Sequence, residues 1–326
     1  MINPMTTSPF IDTAAVEAWD AWFRWRERGK LHDMTVDATW HRVASALVGV
    51  EPPERRMRAR QLLFDAFSSW RLLLDERILT GAGTSSMPWP GGDPVAVLNV
   101  ACFVRAPHAR QASIDLVAVE EVAILAARAL ESAMVLLGYA SWSGRLRIGM
   151  IGMGDALRLL GMDYGCAAAR VEAERVALAV AHGATEGSML LARERGPRLA
   201  CQREWIDRAR ARGYSPALIT HAGRVGLRHT ALTAISSQPK LALFANGASD
   251  ALEPALSHPV AHVINDDEAP RVVYSAGYAH NVATRLRKTY EMADDPTESV
   301  RQAMYDAVQP WMDEALLHRT RTPAAG

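Results

Sequence analysis

The stretch Arg147–Leu160, RIGMIGMGDALRLL, with GMDYG (Gly161–Gly165) directly after it, decides how this chain is read. Leu146 to Met153 is short, apolar and broken by glycine, the composition of a buried strand that neighbouring backbone approaches closely. At Asp155 the pattern changes. Asp155 suits a helix N-cap after Gly154, Ala156, Leu157, Leu159 and Leu160 give the helix its apolar face, and Gly161 supplies a left-handed stop. Strand, glycine turn and short helix in succession predict an α/β architecture.

Such a turn also suggests a phosphate cradle, because a helix N-terminus behind glycines presents free N–H groups to an anion. Gly149, Gly152 and Gly154 fall as GxxGxG rather than GxGxxG, and Ala169 to Glu174 is helical in pattern rather than the end of a second strand. Close packing of strand on helix is the better reading.

Working outward, Asp12 can cap a first helix to about Arg28, with Val16, Trp19, Trp22 and Phe23 on one face and Gly29 as its stop. Thr35 opens a second helix carrying Val36, Trp40, Val43 and Leu47. Pro53 opens a third, on which Leu63, Phe67, Trp70 and Leu74 recur at helical spacing. Aromatic faces at this spacing also stack bases, but core packing is their commoner use. Together these helices predict a small bundle over residues 1–84. The stretch SSMPWPGGDP (Ser85–Pro94) suits a linker, so a second unit is expected over residues 85–326.

In that unit Val95–Val104, VAVLNVACFV, has the β-branched apolar composition of a strand. Asp115–Leu137 reads as a largely buried helix, and Ala167–Arg195 as a long one ended by Gly196-Pro197. Thr230–Ile235 and Lys240–Ala245 read as short strands split by SSQP, and Pro254–Pro270 as a loop. A last helix is expected over Glu298–His318, kinked at Pro310.

With 326 residues, 49% of them hydrophobic, the chain can bury a sizeable core. Its 36 Lys and Arg balance 36 Asp and Glu, so nothing global points to nucleic acid or a membrane surface, and neither is expected as a partner. The N-terminus lacks a signal-peptide pattern and no window approaches the roughly 18 apolar residues of a membrane span, which predicts a cytoplasmic protein. Cys102, Cys166 and Cys201 are odd in number and far apart, as expected for reduced thiols, and no CxxC or Cys/His spacing predicts zinc. His258 and His262 beside Asp266, Asp267 and Glu268 mimic a metal set, but Pro259 and the loop composition favour a solvated turn. His221 and His229 read as satisfied surface or core histidines. The sequence contains no GxSxG elbow, HExxH or Walker loop.

RIGMIGMGDALRLLGMDYG, with the long helix behind it that ends in LLARERGP (Leu190–Pro197), resembles the large catalytic subunit of ribonucleotide reductases, especially the adenosylcobalamin-dependent class. Upstream, TVDATWHRVASAL (Thr35–Leu47) and RILTGAGT (Arg77–Thr84) are similar to that family's N-terminal helical region and the start of its barrel. Downstream, RHTALTAI (Arg228–Ile235), ALEP (Ala251–Pro254) and VQPWMDEALLHRT (Val308–Thr320) are similar to its later barrel elements. The likeness covers nearly the whole chain, yet the family is much longer and a middle block is missing. It implies a helix-rich α/β fold, an N-terminal helical bundle followed by a partial ribonucleotide-reductase-type barrel.

The family's reaction uses a radical cysteine and a carboxylate in an NxCxE-type pattern, plus two redox cysteines. No NxCxE occurs here, and Asp93 stands where the resemblance would place a redox cysteine. No catalytic residue is therefore assigned. Cys102 and Asn99 remain as further candidates, with a buried inert thiol the plain reading of Cys102. The family's phosphate-binding turn corresponds to ISSQPK (Ile235–Lys240). This makes Ser236, Ser237, Gln238 and Lys240 candidate phosphate-binding residues, with Arg224 or Arg228 as further charge. Pro239 in place of glycine removes one donor, and a plain loop is the alternative.

Two functions follow. One is a ribonucleotide-reductase-like protein that is non-catalytic alone and kept for binding a nucleotide or a partner. The other is a component of a split adenosylcobalamin-dependent ribonucleoside-diphosphate reductase. No cofactor is expected for the chain alone; adenosylcobalamin enters by resemblance only. A barrel cut in this way exposes sheet edges and an apolar face, so a homo-oligomer or a reductase-related protein partner is expected.

Overall fold

The computed structural model describes residues 9–85, 92–137, 142–198, 203–265, 269–290 and 295–316. Cys201, Asp266, Asp267 and Glu268 lie outside them, as does the tail from residue 317.

Asp12 caps α1 (Thr13–Ala18) as expected, its carboxylate accepting from the Ala14 N–H at 2.9 Å. The helix does not run to Arg28. It loosens into a π-turn at Trp19–Phe23, and β1 (Arg26–Glu27) pairs antiparallel with β2 (Lys30–Leu31). Arg28 and Gly29 form the two-residue turn with φ of 50° and 73°, so Gly29 serves a hairpin whose twist needs left-handed residues rather than a helix stop.

The helices α2 (Val36–Leu47) and α3 (Pro53–Ser68) begin at the expected Thr35 cap and Pro53. The third helix ends early. Trp70 takes φ 58° and Arg71 N–H bonds back to Ala66 at 3.0 Å, a left-handed stop made with tryptophan instead of glycine. Its indole is held by the Pro9 carbonyl at 3.1 Å and lies edge-on to Trp40 and Phe244. Leu74 accordingly belongs to β3 (Leu72–Leu74), not to the helix, and α4 (Glu76–Gly81) follows.

Strand β4 (Val95–Asn99) is shorter than the apolar run that announced it: Val100–Phe103 coils into a 3-10 turn before the small pair β5 (Val104–Arg105) and β6 (Ser113–Ile114). Next come α5 (Leu116–Leu136), β7 (Arg145–Ile151) and α6 (Met153–Leu159), then α7 (Ala167–Arg195), α8 (Arg203–Ala211) and α9 (Pro216–Val225). After β8 (Ala231–Thr233), the segment expected as a second strand is the helix α10 (Pro239–Phe244). Proline fits its first position, and Leu241 to Phe244 are all buried, so the run has no polar face to reveal its period. The expected loop contains β9 (Val260–Ile264), which pairs antiparallel with β10 (Arg271–Ser275) directly after it to make a ribbon. The helices α11 (Tyr278–Arg285) and α12 (Glu298–Val308) complete the order, and Pro310 follows the end of α12 instead of kinking it.

Four strands make the central sheet, in the order β3-β4-β7-β8. β3 is antiparallel to β4, while β4, β7 and β8 are parallel. The helices α5 and α7 contact both the sheet and each other. Gly149 lets β7 and β8 approach, since a Cβ there would strike the Ala234 carbonyl oxygen. Beyond β8, the Asp313 N–H reaches the Thr233 carbonyl at 3.0 Å, so the C-terminal segment bonds to the sheet's open edge. One hydrophobic cluster runs from Trp19 to Met312, and the ladder from β3 to β4 crosses the Ser85–Pro94 stretch. The fold is a helix-rich α/β one. Among the described residues no helix is long and apolar enough to cross a membrane.

Candidate functional site

Parallel strands end their ladders on one side, and loops gather there. At that end of β8, with Arg147 of β7 on its wall, lies a cavity of about 640 Å³, walled by the loops after β8 and α10, by the ribbon and by α12. Ser236 and Ser237 line it; Gln238 and Lys240 do not.

The expected phosphate turn forms, but its donors are taken. Ser237 Oγ donates to Asp250 Oδ2 at 2.5 Å and the Gln238 N–H to Asp250 Oδ1 at 2.6 Å. The Asp250 carboxylate thus sits where an anion would. Burial pushes its pKa up, against the lowering effect of those two hydrogen bonds. Ser236 Oγ accepts from the Gln238 side chain at 3.0 Å. Lys240 points elsewhere, pairing with Glu76 at 3.0 Å over the Trp22 ring. Arg228 is committed to Glu131 at 2.9 Å, and neither it nor Arg224 lines the cavity.

Two guanidinium groups face this space, and both are paired. Arg301, 6% exposed, bonds Glu253 and lies 3.3 Å from Asp295; Arg147 lies 3.3 Å from Glu314. The Tyr305 hydroxyl donates to Glu253 at 3.2 Å. His258 and His262 also line the wall, and burial pushes His262 below its ordinary pKa. Among the described residues no group of three or more His, Cys, Asp and Glu side chains is placed to hold a metal ion.

Cys102 lies in the 3-10 turn rather than on a strand, its thiol 3.5 Å from the Tyr278 hydroxyl. Burial pushes that thiol up to about 12, so it stays protonated. Asn99 closes β4 fully buried, with neither amide atom bonded. Neither residue lines the cavity. Asp93 pairs with Arg145 at 3.3 Å and accepts from Ser143 at 3.0 Å. Cys166 caps α7, its sulfur accepting from the Ala169 N–H at 3.3 Å.

The sequence reading missed Asp155 as a tertiary anchor. The helix begins two residues before the expected cap, so Asp155 falls in its first turn, 1% exposed. It accepts from the Ser249 N–H at 2.6 Å and the Ala279 N–H at 2.9 Å. Burial raises its pKa while these bonds oppose the rise.

A second polar centre lies away from the cavity. Ser188, His229 and Glu131 stand in hydrogen-bonded series, at 2.9 Å from Ser188 Oγ to His229 Nδ1 and 3.3 Å from Nε2 to Glu131. The order is that of a nucleophile, base and orienting acid. Yet all three are at most 2% exposed, and Ser188 Oγ accepts the N–H groups of Arg228 and His229, each at 3.1 Å. It is a structural hub, and His229 is the satisfied core histidine expected.

A larger groove of about 740 Å³ lies between α3 and α5. Its Arg55, Arg58, Arg71 and Arg128 are matched by Glu51, Glu54, Asp65 and Glu121, which leaves no net charge to select a ligand. No known family model matches this chain, and no curated protein matches it.

Proposed function

We propose that this chain is a ribonucleotide-reductase-like protein without reductase chemistry of its own, kept as a ligand- or partner-binding remnant of that family's barrel. The cavity at the end of β8 carries the reading. It has the volume of a small-molecule site and lies where open parallel sheets take their ligands. The protonated Cys102 thiol supports the non-catalytic half. Neither of the two cavities described above is lined by Cys102 or Asn99. With the phosphate turn filled by Asp250, a ligand other than a nucleoside phosphate suits the cavity better.

The test is a reductase assay on the purified chain with ribonucleoside di- and triphosphates, adenosylcobalamin and a dithiol. No deoxynucleotide is expected. Product above background that disappears with Cys102→Ser overturns the proposal.

Partner binding draws on a separate observation. On the β9–β10 ribbon, Val263, Val272 and Tyr274 are 58%, 57% and 66% exposed. An apolar face of this kind favours a homo-oligomer or a reductase-related chain, including the other half of a split reductase.

A further inference from the structure

The α3–α5 groove carries charges of both signs, and their order along α3 is the order a surface needs to meet its own copy. Glu54, Arg58, Leu62 and Asp65 are spaced three or four residues apart, so they form one stripe of the helix, and all four line the groove. Leu62 stands in the middle of the stripe and is 49% exposed. Arg58 lies one turn before it and Asp65 one turn after it; Glu54 lies two turns before it, and Arg71 lies past the helix end on the other side. Among the described residues these four charged groups form no ion pair within the chain. The Asp65 carboxylate accepts from the Gln61 amide at 2.8 Å, and Arg71 donates to the Cys102 carbonyl at 3.4 Å. A two-fold axis at Leu62, at right angles to α3, reverses the order and sets each charge against an opposite one. Arg58 then meets Asp65 of the second copy, Glu54 meets Arg71, and Leu62 meets Leu62. Centred one turn away, on Arg58 or on Asp65, the same rotation sets like charge on like.

We propose that this groove is covered by a second copy of the chain, with α3 packed antiparallel on α3 about a two-fold axis at Leu62. The apolar Ala59, Ala66 and Leu125 of the groove flank the leucine pair and are withdrawn from water with it. With 16 residues, α3 is about 24 Å long, and with α5 beside it the face is about 20 Å wide. The contact then covers roughly 500 Å² on each copy, at the low end for a specific interface, so the dimer is weak and concentration-dependent. No residue of the β9–β10 ribbon lines this groove, so the proposal stands or falls apart from the ribbon and from the cavity at β8.

The test is sedimentation equilibrium of the full chain at low salt, from about 5 to 500 μM. Wild type is expected to dimerise over this range. Arg58→Glu and Asp65→Arg, both at exposed positions, should each raise the dimer Kd about tenfold, because the axis repeats a pair worth up to about fivefold. The double variant restores opposite charges across the axis and should return the Kd to within about threefold of wild type. Urea midpoints close to wild type show that the variants fold. Independently, Leu62→Cys should join two chains through its introduced thiols on mild oxidation, as mapped by peptide analysis. Met57→Cys, 77% exposed but about 140° around the helix from Leu62, should not. A wild-type monomer at every concentration overturns the proposal. So does association that Val272→Lys removes and Arg58→Glu leaves unchanged, a double variant as weak as the single ones, or cross-linking as efficient at Met57 as at Leu62.

Discussion

Removing the Ser188 hydroxyl tests the buried hub most directly. In Ser188→Ala, the N–H groups of Arg228 and His229 and the His229 Nδ1 each lose a partner, at original distances of 3.1, 3.1 and 2.9 Å. A buried polar group left without its partner costs about 1–3 kcal/mol, so a loss of roughly 3 kcal/mol in all is expected. The hub also sets a pH dependence. Because Ser188 Oγ already accepts two N–H groups, its proton goes to Nδ1, and His229 Nε2 donates to Glu131. A second ring proton would point at an oxygen with no acceptor capacity left. Burial lowers the His229 pKa, opposed by Glu131 and reinforced by Arg228 and Arg198. A histidine depressed on folding gives its full stability above the unfolded value near 6.5, and that stability is lost as pH falls from there through the folded pKa. The slope is up to about 1.4 kcal/mol per pH unit for one proton. Arg195, 3.9 Å from Glu131, faces the same carboxylate. Urea unfolding at pH 7.5, 6.5 and 5.5 should show the wild type losing more between pH 6.5 and 5.5 than His229→Gln. His108 and His262, also lowered by burial, contribute equally to both proteins. Equal slopes, or a Ser188→Ala loss under about 0.5 kcal/mol, would refute the assignment.

Gly149→Ala drives a methyl into the Ala234 carbonyl, so it should destabilise by at least about 3 kcal/mol and sharply cut soluble yield; Gly161→Ala, at φ 72° with open space around it, should cost only about 1 kcal/mol by urea midpoint. Cys102 should resist a disulfide reagent at pH 8 in the folded protein and react once urea unfolds it, with peptide mapping identifying the labelled thiol. Val272→Lys on the ribbon should shift any oligomer or partner complex toward the free chain in sedimentation without altering the urea midpoint, since Val272 is 57% exposed.

Where local chemistry alone sets an element, the sequence revealed it. Asp115 and Cys166 precede α5 and α7, whose ends fall within a residue or so of the expected ones, and Thr35 and Pro53 start α2 and α3. Failures came where tertiary packing decides. Leu241–Phe244 is buried all round, which removes the polar face that separates helix from strand. Trp70 accepts a left-handed conformation because Pro9, Trp40 and Phe244 hold its ring, and no local signal encodes those contacts. The β9–β10 ribbon was hidden by the prolines, histidine and acids around it, although Arg271–Ser275 has the β-branched and aromatic content of a strand.

The candidate turn shows the same division more sharply. Its serines were legible as donors, and they do line a cavity. What they bind was not legible, because the occupant is a side chain delivered from another loop. Asp155 fixes that loop: its carboxylate holds the Ser249 N–H at 2.6 Å, Ser249 Oγ accepts from the Asp155 N–H at 3.3 Å, and the Ser249 carbonyl accepts from Gly152 at 2.7 Å. Asp250 follows directly and is thereby set against Ser237 and Gln238. A residue readable in sequence only as a helix cap therefore helps decide which charge the cavity presents. The stretch that organises the sheet and the turn that lines the cavity are thereby coupled through one buried carboxylate.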